Sequence, residues 1–294
     1  VGDFPTEETT GPTYLMEANT LRKQLRRRGA NDHKGTYGHA FLLAGAFGSM
    51  GAAIIAGQAI LRSGAGKLTC HVPRSGYEIM QIGFPEAMCS VDPHRYRTTE
   101  VGDLSNYQVI AAGPGLGTEA MTAAALADVL RRTDRPMVLD ADALNIIGER
   151  PELLDLVPRH SILTPHPKEF SRLCGAADND FARWQVQRKL ASERGIYVVL
   201  KTGYTAIATP AGDLYLNPTG NPGMATAGTG DALTGVITGL LAQGYLPEVA
   251  TTLGVYLHGL AGDLAAAELG QEFLLAEDVV NYLGKAFAHL RANA

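Results

Sequence analysis

The sequence TAGTGDAL at residues 226–233 runs from a turn rich in glycine and proline directly into an apolar helical pattern. Gly228 and Gly230 carry no Cβ, so backbone N–H groups can approach a ligand closely there. The first N–H groups of a helix lack partners within the helix, and the helix dipole favours an anion at that end. The stretch therefore predicts a loop–helix junction at a phosphate site, with Gly228, Thr229 and Gly230 as the anion hole.

Asp231 is the single carboxylate at the place where that anion would lie. A carboxylate beside a phosphate is repulsive, so its presence there needs a chemical reason. Accepting the proton of a substrate hydroxyl is such a reason in phosphoryl-transfer chemistry. We therefore predict that Asp231 is a catalytic base and that it contacts the substrate.

The rest of the chain alternates between strand and helix patterns. Apolar runs of strand length occur at residues 40–44, 67–72, 108–112, 136–140, 161–164 and 196–201. Helical patterns lie between or after them, at residues 51–63, 118–131, 168–174, 181–194, 231–243, 247–269 and 276–292. The strands are continuously apolar rather than alternating, which indicates a sheet covered on both faces. We therefore predict an α/β fold with three α/β/α layers around a mostly parallel sheet.

Smaller features complete this organisation. Residues 205–209 and 213–217, joined by a Pro-Ala-Gly turn, predict an antiparallel hairpin at a sheet edge. Residues 1–30 are predicted to be an N-terminal extension, in which LRKQLRRR at residues 21–28 indicates a short basic helix. Such a helix can be a nucleic-acid patch, but its isolation and lack of aromatic partners favour a solvated element. Residues 31–294 are predicted to form one domain.

The composition excludes several classes of protein. The net charge is −5, which argues against a protein that binds nucleic acid over its whole surface. The three cysteines include no CxxC pair, which argues for a reducing cytoplasm and against a disulfide scaffold or a zinc site. No apolar run approaches the length of a membrane span. We predict a cytoplasmic enzyme without a membrane or nucleic-acid partner.

Loops that follow strands carry the remaining motifs, as expected where open α/β sheets bind ligands. GPGLG at residues 113–117 predicts a wall of backbone atoms, and the Gly38–Ala40 end of KGTYGHA is also predicted to line a ligand. Asp140 and Asp142 in DADALN suit Mg²⁺, although one of them can instead cap the following turn.

Two further loops carry charged or aromatic side chains. In TPHPKE at residues 164–169, two prolines direct His166 outward, and Glu169 is either a helix cap or faces a magnesium–phosphate site. In KTGYT at residues 201–205, Lys201 can approach phosphates and Tyr204 can lie against an adenine. The alternative for this second loop is an ordinary surface turn.

The motifs KGTYGHA, GPGLG, DADALN, TPHPKEF, KTGYT and NPGMATAGTGD, in this order, resemble the ADP/ATP-dependent NAD(P)H-hydrate dehydratases. That family is a branch of the ribokinase-like superfamily, and the resemblance covers roughly residues 30–294. The combination is specific, whereas GTGD alone indicates only the superfamily. It implies a ribokinase-like fold and an enzyme that removes water from hydrated NAD(P)H with ADP or ATP and Mg²⁺.

The resemblance also assigns roles to individual residues. It implies that the substrate, NADHX or NADPHX, contacts Ala40, Gly115, His166 and Asp231. It implies that the adenine nucleotide contacts Lys201, Thr202, Gly203, Tyr204, Thr205 and Gly230. Ribokinase-like kinases often carry T-P-N-x-x-E near their magnesium site, and here His166 replaces the asparagine. Glu169 keeps the acidic position and is the predicted residue on the magnesium side.

Similarity to the family further implies a homotetramer and a functional link to an NAD(P)HX epimerase. The epimerase is expected either as a separate protein or fused before this chain, because residues 1–30 are too few to hold it. The second hypothesis is a ribokinase-like kinase that acts on a hydroxymethylpyrimidine or a thiazole. A non-catalytic nucleotide-binding regulator is the third, and Asp231 speaks against it because a sensor needs no base.

Overall fold

One central sheet of ten strands organises the part of the chain that the computed structural model describes, residues 11–177 and 179–292. The strands are β1 (Thr13–Leu15), β2 (His39–Leu43), β3 (Lys67–Val72), β4 (Met88–Val91), β5 (Val109–Ala112), β6 (Met137–Leu139), β7 (Ile162–Leu163), β8 (Tyr197–Leu200), β9 (Ala206–Ala208) and β10 (Leu214–Leu216). Their order is β1-β10-β9-β8-β7-β6-β5-β2-β3-β4. Only the β8–β9 and β9–β10 pairs are antiparallel, so the prediction of a mostly parallel sheet is confirmed.

The helices lie on both sides of this sheet. They are α1 (Ala18–Arg22), α2 (Met50–Arg62), α3 (Tyr77–Gly83), α4 (Ala120–Arg132), α5 (Ala141–Glu149), α6 (Pro167–Cys174), α7 (Asp180–Arg194), α8 (Thr229–Ala242), α9 (Pro247–Leu269) and α10 (Ala276–Ala292). Short 3-10 turns occur at Arg74–Gly76, Pro151–Leu156, Pro222–Met224 and Gln271–Phe273. No helix of the described ranges combines the length and apolar character that crossing a bilayer requires.

The apolar strands bury side chains on both faces of the sheet. On β2, Leu42 belongs to the core formed with α2, α8, α9 and α10, whereas the next residue, Leu43, belongs to the core formed with α4, α5, α6 and α7. Successive side chains of a strand point to opposite faces, so a strand covered on both sides must be apolar throughout. The predicted three-layer α/β/α architecture is confirmed.

The structure differs from the sequence-based expectation at the hairpin and at the basic helix. The hairpin β9–β10 is antiparallel as predicted, but it is not at the sheet edge, because β1 pairs with β10 in parallel. The predicted basic helix at residues 21–28 is wrong in extent, since α1 ends at Arg22. Like charges four residues apart, such as Lys23 and Arg27, disfavour its continuation. Residues 1–10 of the predicted extension lie outside the described residues.

The parallel strands bring four predicted motifs to one edge of the sheet. Gly113, Asp140, Thr164 and Lys201 each directly follow the last residue of β5, β6, β7 and β8, respectively. These four strands are consecutive in the sheet, and each pair is parallel. The amino end of α8 meets the same edge, since Thr234 in its second turn donates a hydrogen bond to Asp140.

Gly113 is expected to tolerate no side chain. Its φ is +130°, and a Cβ there would lie 1.8 Å from the carbonyl oxygen of Asp140. We expect Gly113→Ala to lower the free energy of unfolding by about 2 kcal/mol or more in urea denaturation. Gly102→Ala is the control, because a Cβ at Gly102 would meet no atom within 4 Å, and its loss should stay within about 0.5 kcal/mol. Equal losses in the two variants would contradict the steric explanation.

Candidate functional site

The first residue of α8, Thr229, closes the loop before the helix. Thr229 Oγ1 donates to the carbonyl oxygens of Met224 and Thr226, both at 2.9 Å. Gly228 immediately before the helix has a φ of +94°, and a Cβ on it would lie 2.8 Å from Ile55 Cδ1 and 2.9 Å from Ala276 Cβ. Only glycine fits this corner, so the first N–H groups of α8 are held in one orientation at its amino end.

Asp231 lies in the first turn of α8, beside other acidic groups. Its pKa is raised from 3.8 to about 7. Burial of the carboxyl is the largest cause, and the negative charge of Asp140 is the next. The positive charge of Lys201 acts in the opposite direction, while Asp142 and Glu169 add smaller increases. A carboxyl with this pKa can accept a proton near neutral pH.

An ion pair between a buried aspartate and a partly buried lysine lies directly under the amino end of α8. Lys201 Nζ is 2.6 Å from Asp140 Oδ1, and Thr234 Oγ1 donates to Asp140 Oδ2 at 2.8 Å. A Cβ on Gly230 would lie 3.1 Å from Lys201 Nζ, so the ammonium group touches the helix backbone at the predicted anion hole. Asp140 is 1% exposed and makes no capping bond to α5, so capping is not the role of its side chain.

Asp142 ties two of the predicted motifs together. Its Oδ2 accepts from the N–H of Gly117 at 2.8 Å, and its Oδ1 accepts from Asn145 Nδ2 at 3.2 Å. The GPGLG loop is thus anchored to the start of α5 rather than free. Gly115 lies in this loop with a φ of +58°, and its carbonyl oxygen accepts from Ser49 Oγ at 2.7 Å.

His166 and Glu169 cap α6 reciprocally. His166 Nδ1 accepts from the N–H groups of Lys168 and Glu169, and Glu169 Oε2 accepts from the N–H of His166 at 2.8 Å. His166 Nε2 is 3.1 Å from Glu169 Oε1. Burial raises the pKa of Glu169, and burial together with Lys201 lowers the pKa of His166. The structure contains the capping arrangement, and a contact between Glu169 and Mg²⁺ stays a prediction.

A cleft of about 780 Å³ opens next to these groups. One side is formed by His166, the loop at residues 201–205, Thr229 and Gly230. The other side is formed by residues of the 217–225 segment and by Val255, His258 and Gly259 of α9. A cavity of this size, lined by a mixture of polar and apolar groups, suits a nucleotide-sized ligand.

Not every predicted residue reaches the cleft. Ala40 is fully buried in the amino half of β2, where it pairs with Leu68 and Val109, and its predicted contact with the substrate stays a prediction. The carboxyl ends of the strands meet the cleft, and Ala40 lies toward the opposite end. Gly115, Gly228 and Asp231 are also absent from the cleft lining, although Asp231 directly follows Gly230, which is part of it. Tyr204 is 74% exposed at the rim of the cleft.

Sequence reasoning missed several residues of the site. Thr234 lies one turn after Asp231 on the same helix, and that spacing could have identified it. His258 also lines the cleft, and its Nε2 donates to the carbonyl oxygen of Thr229 at 2.9 Å. Burial lowers the pKa of His258 to about 4. Val255 and Gly259 carry no sequence signal, because α9 brings them to the cleft only through packing.

Comparison with known proteins identifies the family of this chain. A sequence profile described as NAD(P)H-hydrate dehydratase matches residues 40–285. The chain belongs to the NAD(P)H-hydrate dehydratase family. A bifunctional NAD(P)H-hydrate repair enzyme of Moorella thermoacetica is 42% identical over 92% of this chain. The chain spans about half of that relative, 53% of its length.

Other members of the NAD(P)H-hydrate dehydratase family match over their full length. The ADP-dependent (S)-NAD(P)H-hydrate dehydratase of Bacillus subtilis is 37% identical, with 91% of this chain and 95% of the relative covered. A crystal structure of the ADP/ATP-dependent enzyme of Bacillus subtilis, co-crystallised with ATP and Mg²⁺, has a TM-score of 0.83 at 34% identity. The match covers 96% of this chain and 100% of that one.

The ribokinase-like fold is confirmed by a more distant similarity. Ribokinase of Cryptococcus neoformans has a TM-score of 0.57 at 13% identity, covering 84% of this chain and 99% of that one. At this level of identity the likeness concerns the fold alone. The prediction of a ribokinase-like α/β protein is therefore confirmed.

The hydrogen bond from Thr234 to Asp140 should be measurable in stability. Thr234→Val keeps the shape but leaves a buried carboxylate oxygen without its donor, so we expect a loss of about 1–3 kcal/mol in chemical denaturation. Thr238→Val is the matched control on the same helix, because Thr238 is also fully buried but bonds only the carbonyl oxygen of Thr234. A loss from Thr238→Val as large as that from Thr234→Val would contradict the role assigned to this bond.

The raised pKa of Asp231 predicts a pH-dependent stability. Ionisation of Asp231 is disfavoured in the folded state. The contribution of its carboxyl to the free energy of unfolding is therefore fully present below about pH 4 and is lost as the pH rises through about 7. Asp231→Asn removes the charge. The free energy of unfolding of the variant, relative to that of the wild type, should therefore be higher at about pH 8 than at about pH 4, by on the order of 2 kcal/mol. Asp128→Asn, at an exposed surface pair with Arg132, should show no such pH dependence. A pH-independent effect of Asp231→Asn would contradict the raised pKa.

Proposed function

We propose that this protein removes water from hydrated NADH and NADPH, with an adenine nucleotide as phosphoryl donor. The observation that carries the proposal is the position of Asp231, a carboxyl with a pKa of about 7 in the first turn of α8, beside Lys201 and the cleft. A base that titrates near neutral pH, next to backbone N–H groups that can bind phosphate, fits phosphoryl transfer to a hydroxyl. Membership of the family adds the identity of the substrate.

In the proposed reaction, Asp231 accepts the proton of the hydroxyl group on the nicotinamide ring. The oxygen then attacks the terminal phosphorus of ADP or ATP, and the bond from that phosphorus to the bridging oxygen breaks, which releases AMP or ADP. The ring nitrogen lone pair next expels phosphate, a better leaving group than hydroxide. Loss of a proton from the neighbouring ring carbon restores the dihydropyridine. The N–H groups of Gly228–Gly230 stabilise the negative charge on the transferred group.

The residues around Asp231 fit a magnesium ion. Four carboxylates, those of Asp140, Asp142, Glu169 and Asp231, act on this site, and Lys201 is the cation that acts on Asp231. Phosphate groups would add further negative charge, which a cation must offset. The described residues contain no cluster of three or more His, Cys, Asp or Glu that could hold a metal by themselves. Mg²⁺ commonly uses one or two carboxylates plus phosphate oxygens, so Glu169 would hold it together with the nucleotide and the ion would neutralise phosphate charge.

The nucleotide and the hydrate are proposed to meet at the amino end of α8. Lys201, Thr202, Gly203, Tyr204 and Thr205 line one side of the cleft together with Gly230, which supports their predicted contact with the nucleotide. His166 lines the same cleft, which supports its predicted contact with the hydrate. We further propose that the protein acts in the cytoplasm as a homotetramer, alongside an epimerase that is fused or separate.

The deciding assay supplies hydrated NADH with Mg²⁺ and either ADP or ATP, in parallel reactions. We expect the near-ultraviolet absorbance of NADH to recover with release of phosphate. A stable phosphorylated alcohol would instead indicate a small-molecule kinase. If no reaction occurs with any candidate substrate, a non-catalytic nucleotide-binding role is favoured and the proposal fails.

Asp231→Asn tests the base in the same assay. We expect turnover to fall by about 10²–10⁴-fold while nucleotide binding is largely retained, because the amide cannot accept the proton. In the wild type, kcat/KM should rise with pH through about 7, since only the ionised carboxylate is a base. Asp128→Asn is the control and should keep normal turnover. Near-normal turnover of Asp231→Asn would show that another group is the base.

A further inference from the structure

The basic segment LRKQLRRR has no role in the proposed reaction. Its last three residues, Arg26, Arg27 and Arg28, line a second cavity of about 340 Å³. Arg62 and Arg291 come to the same cavity from α2 and α10. Among the described residues, the lining therefore holds five arginines and a single acidic residue, Asp32, although the whole chain carries a net charge of −5.

This cavity is far from the nucleotide cleft. It lies where α2, α8 and α10 end, and Gln243 just after α8 is part of its lining. The cleft lies at the opposite end of α8, at Thr229 and Gly230. The helix has 14 residues, so the two sites are roughly 20 Å apart.

Two of the guanidinium groups are held in fixed positions. Arg26 donates from Nη1 to the carbonyl oxygen of Gln243 at 2.9 Å and from Nη2 to that of Gly244 at 2.8 Å. Its guanidinium also lies over the ring of Tyr245, at 4.6 Å from the ring centre. Arg28 donates to the carbonyl oxygen of Gly64 at 2.7 Å and lies 3.9 Å from the ring centre of Tyr37. These contacts pre-organise positive charge on the wall of the cavity.

Most of the donors in the cavity have no partner. Within residues 11–177 and 179–292, none of the five arginines forms an ion pair within 4 Å with a carboxylate. Arg27 and Arg62 also make no side-chain hydrogen bond within those ranges. The Asp32 carboxylate accepts from Tyr37 Oη and from the N–H of Gly29, and its single negative charge offsets only one of the five arginines. An arginine has five N–H donors, so the cavity offers many more donors than the backbone carbonyls use.

Helix capping alone does not explain this concentration of charge. The carboxyl ends of three helices each contribute roughly half a negative charge, which accounts for arginines that bond their carbonyls. Arg26 and Arg28 are of that kind, whereas Arg27 and Arg62 are not. Five positive charges also exceed the charge of Asp32 and the three helix ends together, so the positive sign prevails.

We infer that this cavity binds a small phosphate-bearing polyanion, such as the pyrophosphate group of a nucleotide or free pyrophosphate. Guanidinium groups match phosphate oxygens in planar, two-bond geometry. One face of each tyrosine ring in the lining is covered by a guanidinium, so the cavity recognises charge rather than a stacked base. Its volume corresponds to about ten water molecules, which accommodates a pyrophosphate group and its hydration but not an extended nucleic-acid strand.

The test is calorimetric titration of the full chain with inorganic pyrophosphate, without nucleotide. Arg27→Gln/Arg62→Gln removes two cavity charges that make no bonds within the described structure, so the fold should be unaffected. Arg131→Gln/Lys189→Gln removes two exposed charges elsewhere and is the matched control. We expect the dissociation constant for pyrophosphate to rise at least tenfold in the cavity variant and to stay within about twofold in the control. Because the arginines are exposed, binding should also weaken strongly between about 0.15 M and 1 M salt.

Three results would overturn the inference. The wild type does not bind pyrophosphate, both double variants lose affinity equally, or the cavity variant binds as tightly as the wild type because the anion occupies the cleft. Displacement of pyrophosphate by a single-stranded oligonucleotide would assign the surface to nucleic acid and also contradict a small-molecule site. Each of these results is independent of the dehydratase assay, so failure here leaves the proposed reaction standing.

Discussion

The partly buried ion pair between Lys201 and Asp140 is the constraint on which the candidate site depends. It joins the carboxyl ends of β6 and β8, and Thr234 extends it to α8. Burying two charges is costly unless each is paired and bonded, and here one oxygen of Asp140 receives the ammonium group and the other receives a hydroxyl. Without Lys201, Asp140 would be an uncompensated buried charge beside Asp231. The pair therefore fixes how the helix meets the sheet, and with it the direction of the backbone N–H groups.

The same ion pair adjusts the proton affinity of Asp231, which burial raises most. Burial and the charge of Asp140 raise the pKa of Asp231, and Lys201 lowers it, with a result of about 7. A lower pKa would make a weaker base, and a higher pKa would leave the carboxyl protonated at neutral pH. Lys201 thus has two effects at one position, since it neutralises Asp140 and also keeps Asp231 able to ionise. A phosphate-binding lysine that lacked the aspartate partner would provide only positive charge.

Much of the fold followed from the sequence because the strands are buried on both faces, which makes them apolar throughout and easy to locate. The strands that were missed, β1 and β4, are edge strands with exposed or half-exposed side chains, so their patterns are indistinct. The loops of the site were recognisable because their residues follow strands that end at one edge. Their pairings were not recognisable, since Asp140 and Lys201 are 61 positions apart and only the register of the sheet brings them together. Ala40 does not line the cleft for a different reason, because its motif leads into the amino end of β2 and the cleft lies at the carboxyl ends of the strands.

Both ends of α8 are proposed to bind an anion, but for opposite physical reasons. At its amino end, the helix dipole and the free N–H groups favour an anion. Because several carboxylates surround this end, an anion is expected to bind there only together with a cation. At its carboxyl end the dipole opposes an anion, and the positive potential comes only from the exposed arginines. Binding that depends on the helix dipole in a partly buried corner is screened little by salt. Attraction by exposed side chains decays over a Debye length, which is about 10 Å at 0.1 M salt. Salt should therefore distinguish the two ends of one helix, because only the arginine-lined cavity depends on unburied charge.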